Sequence, residues 1–258
     1  MNLRSQVMMP PSPALPQERL VRRQVQSEWL DGLDPADARA QRSRRDLQRV
    51  NAWMGNVRKV VHALKHAPLR QAPGRLVELG AGDGTFLLQV ARRLHARWPR
   101  VQAVTVDRLA LLSPETQQGF ASLGWTVQAV QADVFDWLRI DSGAETDVFL
   151  SNLFLHHFAS ERLRLLLEHA AQHAVLFVAC EPERSRLALL GARLLWLIGC
   201  QEVTRHDAVI SVRAGFGERE VSDLWPEGGD WQLTERAAGP FSHLFQARRA
   251  GDGEGRHA

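Results

Sequence analysis

Residues 76–86, Leu-Val-Glu-Leu-Gly-Ala-Gly-Asp-Gly-Thr-Phe, place glycines at 80, 82 and 84 directly after a short apolar run. Glycines at that spacing permit a tight turn and a close approach of backbone to a nucleotide-like ligand. A dinucleotide-binding turn instead follows G-x-G-x-x-G and rests a pyrophosphate on the helix that comes next. Here Thr85 stands where the third glycine of that pattern belongs, and Asp83 lies inside the turn, where its carboxylate repels a pyrophosphate. With Glu78 nearby, the turn suits a ligand that lacks phosphate and carries positive charge.

Two more acids follow at the ends of apolar segments. Asp107 closes Ala-Val-Thr-Val-Asp, with Arg108 after it. A carboxylate there can accept from both hydroxyls of a ribose. Asp133 closes Val-Gln-Ala-Asp, where it can accept from an exocyclic adenine amine while the N–H of Val134 serves a ring nitrogen. Taken singly, each acid is as well explained as a strand-end or helix-capping residue. Three such strand ends in succession point to one ligand.

These residues need an alternating scaffold. Strands are expected near 75–80, 101–106, 125–131, 147–151 and 174–180, with helices near 84–97, 113–122, 134–139, 160–171 and 185–199. Further helical pieces are expected at 207–214 and 218–225, Asp207 reading as the N-cap of the first and Gly215 as its stop. Segments 231–238 and 241–249, joined by Gly-Pro, read as an antiparallel hairpin. Apolar strands separated by amphipathic helices imply a doubly wound α/β fold with a parallel sheet covered on both faces. Before it, from Glu18 to about His66, apolar residues recur at helical spacing, and Asp-Gly-Leu-Asp-Pro-Ala-Asp divides this region into two helices with Asp34 as a cap. The expected organisation is a tail at 1–17, a helical lid at 18–70, the main domain at 71–249 and a tail at 250–258.

Gly80-Ala81-Gly82-Asp83-Gly84, Asp107, Asp133 and Ser-Asn-Leu-Phe-Leu-His-His-Phe (151–158) together resemble a class I S-adenosylmethionine-dependent methyltransferase of the small-molecule type found in bacterial secondary metabolism. The resemblance covers about residues 75 to 249. It implies a Rossmann-like, seven-stranded sheet whose last strand is antiparallel, with S-adenosyl-L-methionine as cofactor. It places Glu78, Gly80, Ala81 and Gly82 near the methionine part, Asp107 and Arg108 at the ribose, and Asp133 and Val134 at the adenine. Ser151 and Asn152 would line the methionyl end, with Leu153 and Phe154 below the methyl group.

The acceptor side is less defined. Methyltransferases acting on DNA or on protein glutamine usually carry Asp/Asn-Pro-Pro-aromatic after the fourth strand; Ser-Asn-Leu-Phe here argues for a small molecule, phenolic or polyketide-like, methylated on oxygen or carbon. His156 could deprotonate a phenol or enol, since imidazole titrates near neutrality, with His157 beside it. In Thr-Arg-His-Asp-Ala-Val-Ile-Ser-Val-Arg-Ala-Gly-Phe (204–216), His206 is the rival base and Arg213 an anchor for an anionic group. Asn51, with Trp29, Trp53 and Met54, could face the acceptor from the lid, and His243 reads as structural. A carboxyl or amine methyltransferase of the same fold, or a protein that holds the cofactor without turnover, fits the same residues.

Bulk properties narrow the classes. Hydrophobic residues make up 45% of the 258 residues and charged ones 24%, ordinary for a globular chain. A net charge of +3, with lysine only at 59 and 65, gives no concentrated basic block, so no nucleic-acid partner is expected. Cys180 and Cys200 lack ligand spacing, so neither a disulfide nor a metal site is expected. The apolar window 187–200 is too short to span a bilayer. A cytoplasmic monomer or homodimer is the expectation.

Overall fold

A computed structural model of the protein describes residues 20–69, 71–140 and 146–250. The expected tail at 1–17 lies outside these residues, as does all but Ala250 of the tail at 250–258.

The described chain begins as an irregular strap, residues 20–37, that includes a 3-10 turn at Leu30–Gly32. Helices α1 (Ala38–Met54) and α2 (Asn56–His66) follow. The expected helix before Asp34 does not form, because the strap spends its backbone groups on distant partners. Gln24 N–H donates to Arg213 O at 3.0 Å, and Arg184 Nε donates to Leu20 O at 2.9 Å. Asp34 accepts from Ala36 N–H, while Asp37 is the true N-cap of α1, accepting from Arg39 N–H at 2.7 Å. The two helices part at Gly55, whose φ of +70° ends α1 in the left-handed region that glycine tolerates best.

The main domain alternates β1 (Arg75–Leu79), α3 (Thr85–Leu94), β2 (Gln102–Asp107), α4 (Pro114–Ser122), β3 (Thr126–Gln131), α5 (Val134–Ile140), β4 (Thr146–Asn152), α6 (Ser160–His173) and β5 (Ala174–Pro182). Then come α7 (Arg186–Arg193), α8 (Glu202–Ala214), β6 (Trp231–Ala237) and β7 (Ser242–Arg249). The strands form one seven-stranded sheet in the order β3-β2-β1-β4-β5-β7-β6. Strands β1 to β5 pair in parallel, and β7 runs antiparallel to both β5 and β6, with Phe177 opposite Ala247. This is the expected Rossmann-like sheet with an antiparallel last strand.

Side-chain alternation divides the core between the two faces. Leu76, Val148, Leu150, Leu176 and Val178 pack against α2, α3 and α4. Val77, Leu79, Phe149 and Phe177 pack against α5, α6 and the segment around Trp225. Truncating one of these enclosed leucines to alanine costs about 2–5 kcal/mol.

Three expectations after β5 are corrected. The apolar segment 185–199 breaks after Arg193, and a 3-10 turn at Leu195–Ile198 continues it to Gly199, whose φ is +75°. Residues 218–225 form only a 3-10 turn at Ser222–Leu224, where Glu235 accepts from the N–H groups of Val221 and Ser222. Helix α8 starts at Glu202, so Asp207 is interior rather than a cap. Gly215 does follow the end of α8, but with an extended φ of −61°. A Cβ there would lie 2.3 Å from Pro182 O, so close packing rather than handedness requires the glycine. Among the described residues no helix is long and apolar enough to cross a membrane.

Candidate functional site

Between β1 and β4 the strand order reverses direction, and the carboxyl ends of the strands diverge into a crevice. A cavity of about 710 Å³ opens there, walled also by residues of the strap, α1, α7 and α8. Of the residues singled out from the sequence, Asn51, Glu78, Gly80, Ala81, Gly82, Asp107, Arg108, Asp133, Val134, Asn152, His156 and His157 line it.

The glycine turn carries three left-handed residues in alternation, with φ of +68° at Gly80, +55° at Gly82 and +71° at Gly84. A Cβ on Gly80 would lie 2.2 Å from the Phe154 ring, whereas one on Gly82 would meet nothing within 4 Å. Gly80 therefore admits an aromatic floor, and Gly82 leaves its backbone open to a ligand. Asp83 is tethered: its Oδ1 accepts from Thr85 N–H at 3.0 Å, and its Oδ2 accepts from Gln48 of α1 at 2.7 Å.

Asp107 accepts from Gly82 N–H and Leu109 N–H, each at 2.9 Å, which fixes its carboxylate against the turn. Asp133 accepts from Phe135 N–H at 2.9 Å at the start of α5. Asp133 thus caps α5, whereas Asp107 closes β2 without capping a helix, and both carboxylates line the cavity. Glu78 is enclosed, and its Oε2 has no hydrogen-bond partner among the described residues. Burial, with Asp83 and Asp107 nearby, pushes its carboxyl well above the usual range.

At the end of β4, Asn152 donates to Asn51 Oδ1 at 3.1 Å and accepts from Asn56 at 3.2 Å. Asn56 also donates to Asn51 Oδ1, at 3.1 Å, and accepts from Ser242 Oγ at 2.7 Å. This amide chain ties α1 and α2 to the sheet. Leu153 follows with φ of +54°, an uncommon backbone for a branched residue, at the cavity wall. Ser151 is fully buried, donates to Glu181 and does not line the cavity.

His156 and His157 sit on a 3-10 turn, Leu155–His157, whose N–H groups at Phe154 and Leu155 donate to Glu181 Oε1 at 3.1 and 3.0 Å. Glu181 Oε2 lies 2.8 Å from His156 Nδ1. Glu28 of the strap reaches the opposite side, with oxygens 3.4 Å from His156 Nε2 and 3.4 Å from His157 Nε2. Burial disfavours charge on His157, but Glu28 more than offsets it and raises the imidazole to about 9. Burial likewise opposes ionisation of Glu28 and Glu181, yet hydrogen bonds from the histidines hold both carboxyls below the usual range.

His206 and Arg213 fall outside the cavity lining. His206 stacks on Trp29, ring centroids 3.6 Å apart, and its Nδ1 lies 3.0 Å from Asp207 Oδ1. His243 is buried between Glu183 and Glu235, at 3.0 and 2.8 Å, as a structural residue. Sequence reasoning passed over Glu28 and Glu181. Glu181 had a signal, since it is one more acid at the end of a strand; Glu28 had none.

No family model matches the chain, and no curated protein matches it. Solved structures do. The plantazolicin methyltransferase BpumL in complex with SAH is 13% identical, with a TM-score of 0.58 over 83% of this chain and 91% of that one. An O-methyltransferase family protein from Burkholderia thailandensis is 19% identical, with a TM-score of 0.56 over 91% and 67%. Human N-acetylserotonin methyltransferase in complex with SAM is 14% identical, with a TM-score of 0.52 over 85% and 61%. The fold is that of the class I methyltransferases.

Proposed function

We propose that this class I methyltransferase fold works as an S-adenosylmethionine-dependent methyltransferase on an oxygen or carbon of a small acceptor. The observation that carries the reading is the enclosed, unpartnered Oε2 of Glu78 at the base of an acidic glycine turn. A buried carboxylate without a partner is costly, and a ligand bearing positive charge relieves that cost. The acidity that repels a pyrophosphate welcomes a phosphate-free cation. When bound, the cofactor supplies a methyl group carried on a sulfonium.

The residues fit such a ligand. Asp107, immobilised by two backbone N–H groups, would take the ribose hydroxyls beside Arg108. Asp133 and the N–H of Val134 would take the adenine edge. The backbone of Gly80, Ala81 and Gly82 would lie against the methionine part, with Asn152 and Asn51 beyond it. On the acceptor side Leu47, Val50, Trp53, Met54, Leu195 and Phe241 give the cavity an apolar wall, which supports an apolar, phenolic or polyketide-like acceptor. The Glu28–His156–His157 cluster stands where the acceptor would be activated. The strap and α1 would act as a lid, excluding water and aligning the acceptor, and alignment of this kind supplies much of the acceleration in a two-substrate transfer.

Titration calorimetry with S-adenosylmethionine and its demethylated product tests the cofactor assignment, and failure of both to bind refutes it. A labelled-methyl assay over phenols, carboxylic acids and amines then sorts the acceptor class. Binding without transfer to any of them would mark a protein that holds the cofactor without turnover.

A further inference from the structure

We infer that Glu28, His156 and His157 form a binding site for one divalent transition-metal ion, with an open coordination position facing the cavity. No metal was expected from the sequence, where Cys180 and Cys200 lack ligand spacing; this glutamate lies far from the two histidines along the chain.

The geometry of the donors is the first argument. Glu28, His156 and His157 each present one ligand atom, all within 4.8 Å of one another. Each carboxylate oxygen is 3.4 Å from one of the imidazole nitrogens. Ligands held about 2.1 Å from a tetrahedral ion are separated by about 3.4 Å, so a small inward adjustment would seat an ion among them.

The second argument is the fixed ring orientation. His156 Nδ1 lies 2.8 Å from Glu181 Oε2, and Glu181 also accepts from two backbone N–H groups and Ser151 Oγ, so it serves as an acceptor throughout. His157 Nδ1 lies 2.9 Å from Phe154 O, and a carbonyl can only accept. Both rings therefore carry a proton on Nδ1 and turn Nε2 toward Glu28. A second ring N–H committed to a carboxylate or a backbone carbonyl is the outer-shell arrangement of metal-bound histidine.

The third argument is access. All three residues line the cavity. Three protein ligands with one position left open is the ligand count of catalytic rather than structural metal sites. Two imidazoles and a carboxylate suit Zn²⁺, Fe²⁺ or Mn²⁺ better than the all-oxygen sets preferred by Ca²⁺ or Mg²⁺. On the methyltransferase reading, on which only this clause rests, the open position takes the oxygen of a hydroxyl-bearing acceptor.

The test is equilibrium dialysis of the full chain against Zn²⁺ and Co²⁺. His62 and His66 on α2, and His169 and His173 on α6, form adjacent imidazole pairs with centroids 4.1 and 4.5 Å apart. A His62→Gln, His169→Gln background removes their contribution. The expected result is one equivalent bound in that background. Glu28→Gln and His157→Gln should each weaken binding at least about tenfold, and Glu181→Gln by about tenfold to a hundredfold. No binding in the background, or affinity unchanged by Glu28→Gln and His157→Gln, overturns the inference and leaves an ion-pair cluster only. Should the variants fail to fold, X-ray absorption on the Zn²⁺-loaded background decides: two imidazoles with oxygen support the site, and any other ligand set overturns it. Calorimetry with the demethylated cofactor runs in parallel. Cofactor binding without metal sinks this inference alone, and metal binding without cofactor sinks only the methyltransferase reading.

Discussion

Asp207, in the interior of α8, accepts the backbone N–H of Trp29 at 2.8 Å, and its second oxygen accepts the N–H of Leu30 at 3.0 Å. The carboxylate thus caps the 3-10 turn of a segment that comes 178 residues earlier. His206, the neighbouring residue, stacks on the Trp29 ring. This charge-assisted pair of hydrogen bonds and the ring contact join helix and strap, beside the bonds of Gln24 N–H to Arg213 O and of Arg23 to Ala214 O.

Asp207→Ala should therefore loosen the strap without unfolding the sheet. It removes a charged acceptor from two N–H groups, a change worth about 1–3 kcal/mol. Hydrogen exchange across residues 28–31 should accelerate while exchange in β1, β4 and β5 stays at wild-type levels. Equal acceleration in all of them would show that Asp207 supports the whole domain rather than the strap.

The two glycines of the turn should separate packing from binding. Gly80→Ala sets a methyl group 2.2 Å from the Phe154 ring at a φ of +68°. It should lower the melting temperature by several degrees, on the scale of about 1–3 kcal/mol. Gly82→Ala meets nothing within 4 Å and carries only the backbone penalty of its φ of +55°. Its melting temperature should fall less, while its affinity for S-adenosylmethionine falls more than its stability does. The reverse order in calorimetry would contradict the assignment of Gly82 to the ligand side.

Asp107→Ala should weaken binding of the demethylated cofactor by about tenfold to a hundredfold, the worth of hydrogen bonds to a charged acceptor. Asp107→Asn keeps one acceptor oxygen and should lie between alanine and wild type. Calorimetry on the three proteins gives the order, and an unchanged affinity in the alanine variant would remove Asp107 from the ribose site.

His243 gives a pH-dependent stability of definite sign. Burial disfavours its charged form, but Glu183 and Glu235 outweigh burial and raise the imidazole to about 9 from an ordinary 6.5. Its folded pKa exceeds its unfolded one, so its contribution is complete below about pH 6.5 and is lost as pH climbs through about 9. Wild type should lose melting temperature between pH 6.5 and 9.5 relative to His243→Asn, so that the two curves converge at the alkaline end. Parallel curves over that interval would show that the two glutamates do not hold a proton on His243.

The glycine-turn side of the cavity was legible because it depends on residues close in sequence to strand ends. Gly80, Asp107 and Asp133 each follow an apolar run, and a parallel sheet gathers such ends into one crevice. The wall that carries Glu28 and the two histidines was less legible because its residues meet across the fold. Glu28 sits between Val25 and Trp29 in a stretch with helical apolar spacing, and nothing local distinguishes it from a surface acid on such a helix. Asp207 mimics an N-cap because apolar residues follow it, yet α8 begins five residues earlier and the carboxylate serves another segment. The strap itself resembled a helix by the spacing of Leu20, Val21, Val25 and Trp29; its backbone is drawn instead to Arg213, Arg184 and Asp207.

That strap has a consequence for the order in which the molecule is made. Leu20 waits 164 residues for Arg184, and Trp29 waits 178 for Asp207. A chain that emerges from its N-terminus holds this wall of the cavity without its Asp207 cap until α8 has left the ribosome. Contacts of such sequence separation form late, after local helices and neighbouring strands have paired. The glycine turn is complete once β1 and β2 have met, whereas the histidine cluster has to wait 128 residues beyond Glu28 for His156. The pocket is finished by its oldest residues, and a truncated product ending before α8 would carry the glycine turn without a closed cavity around it.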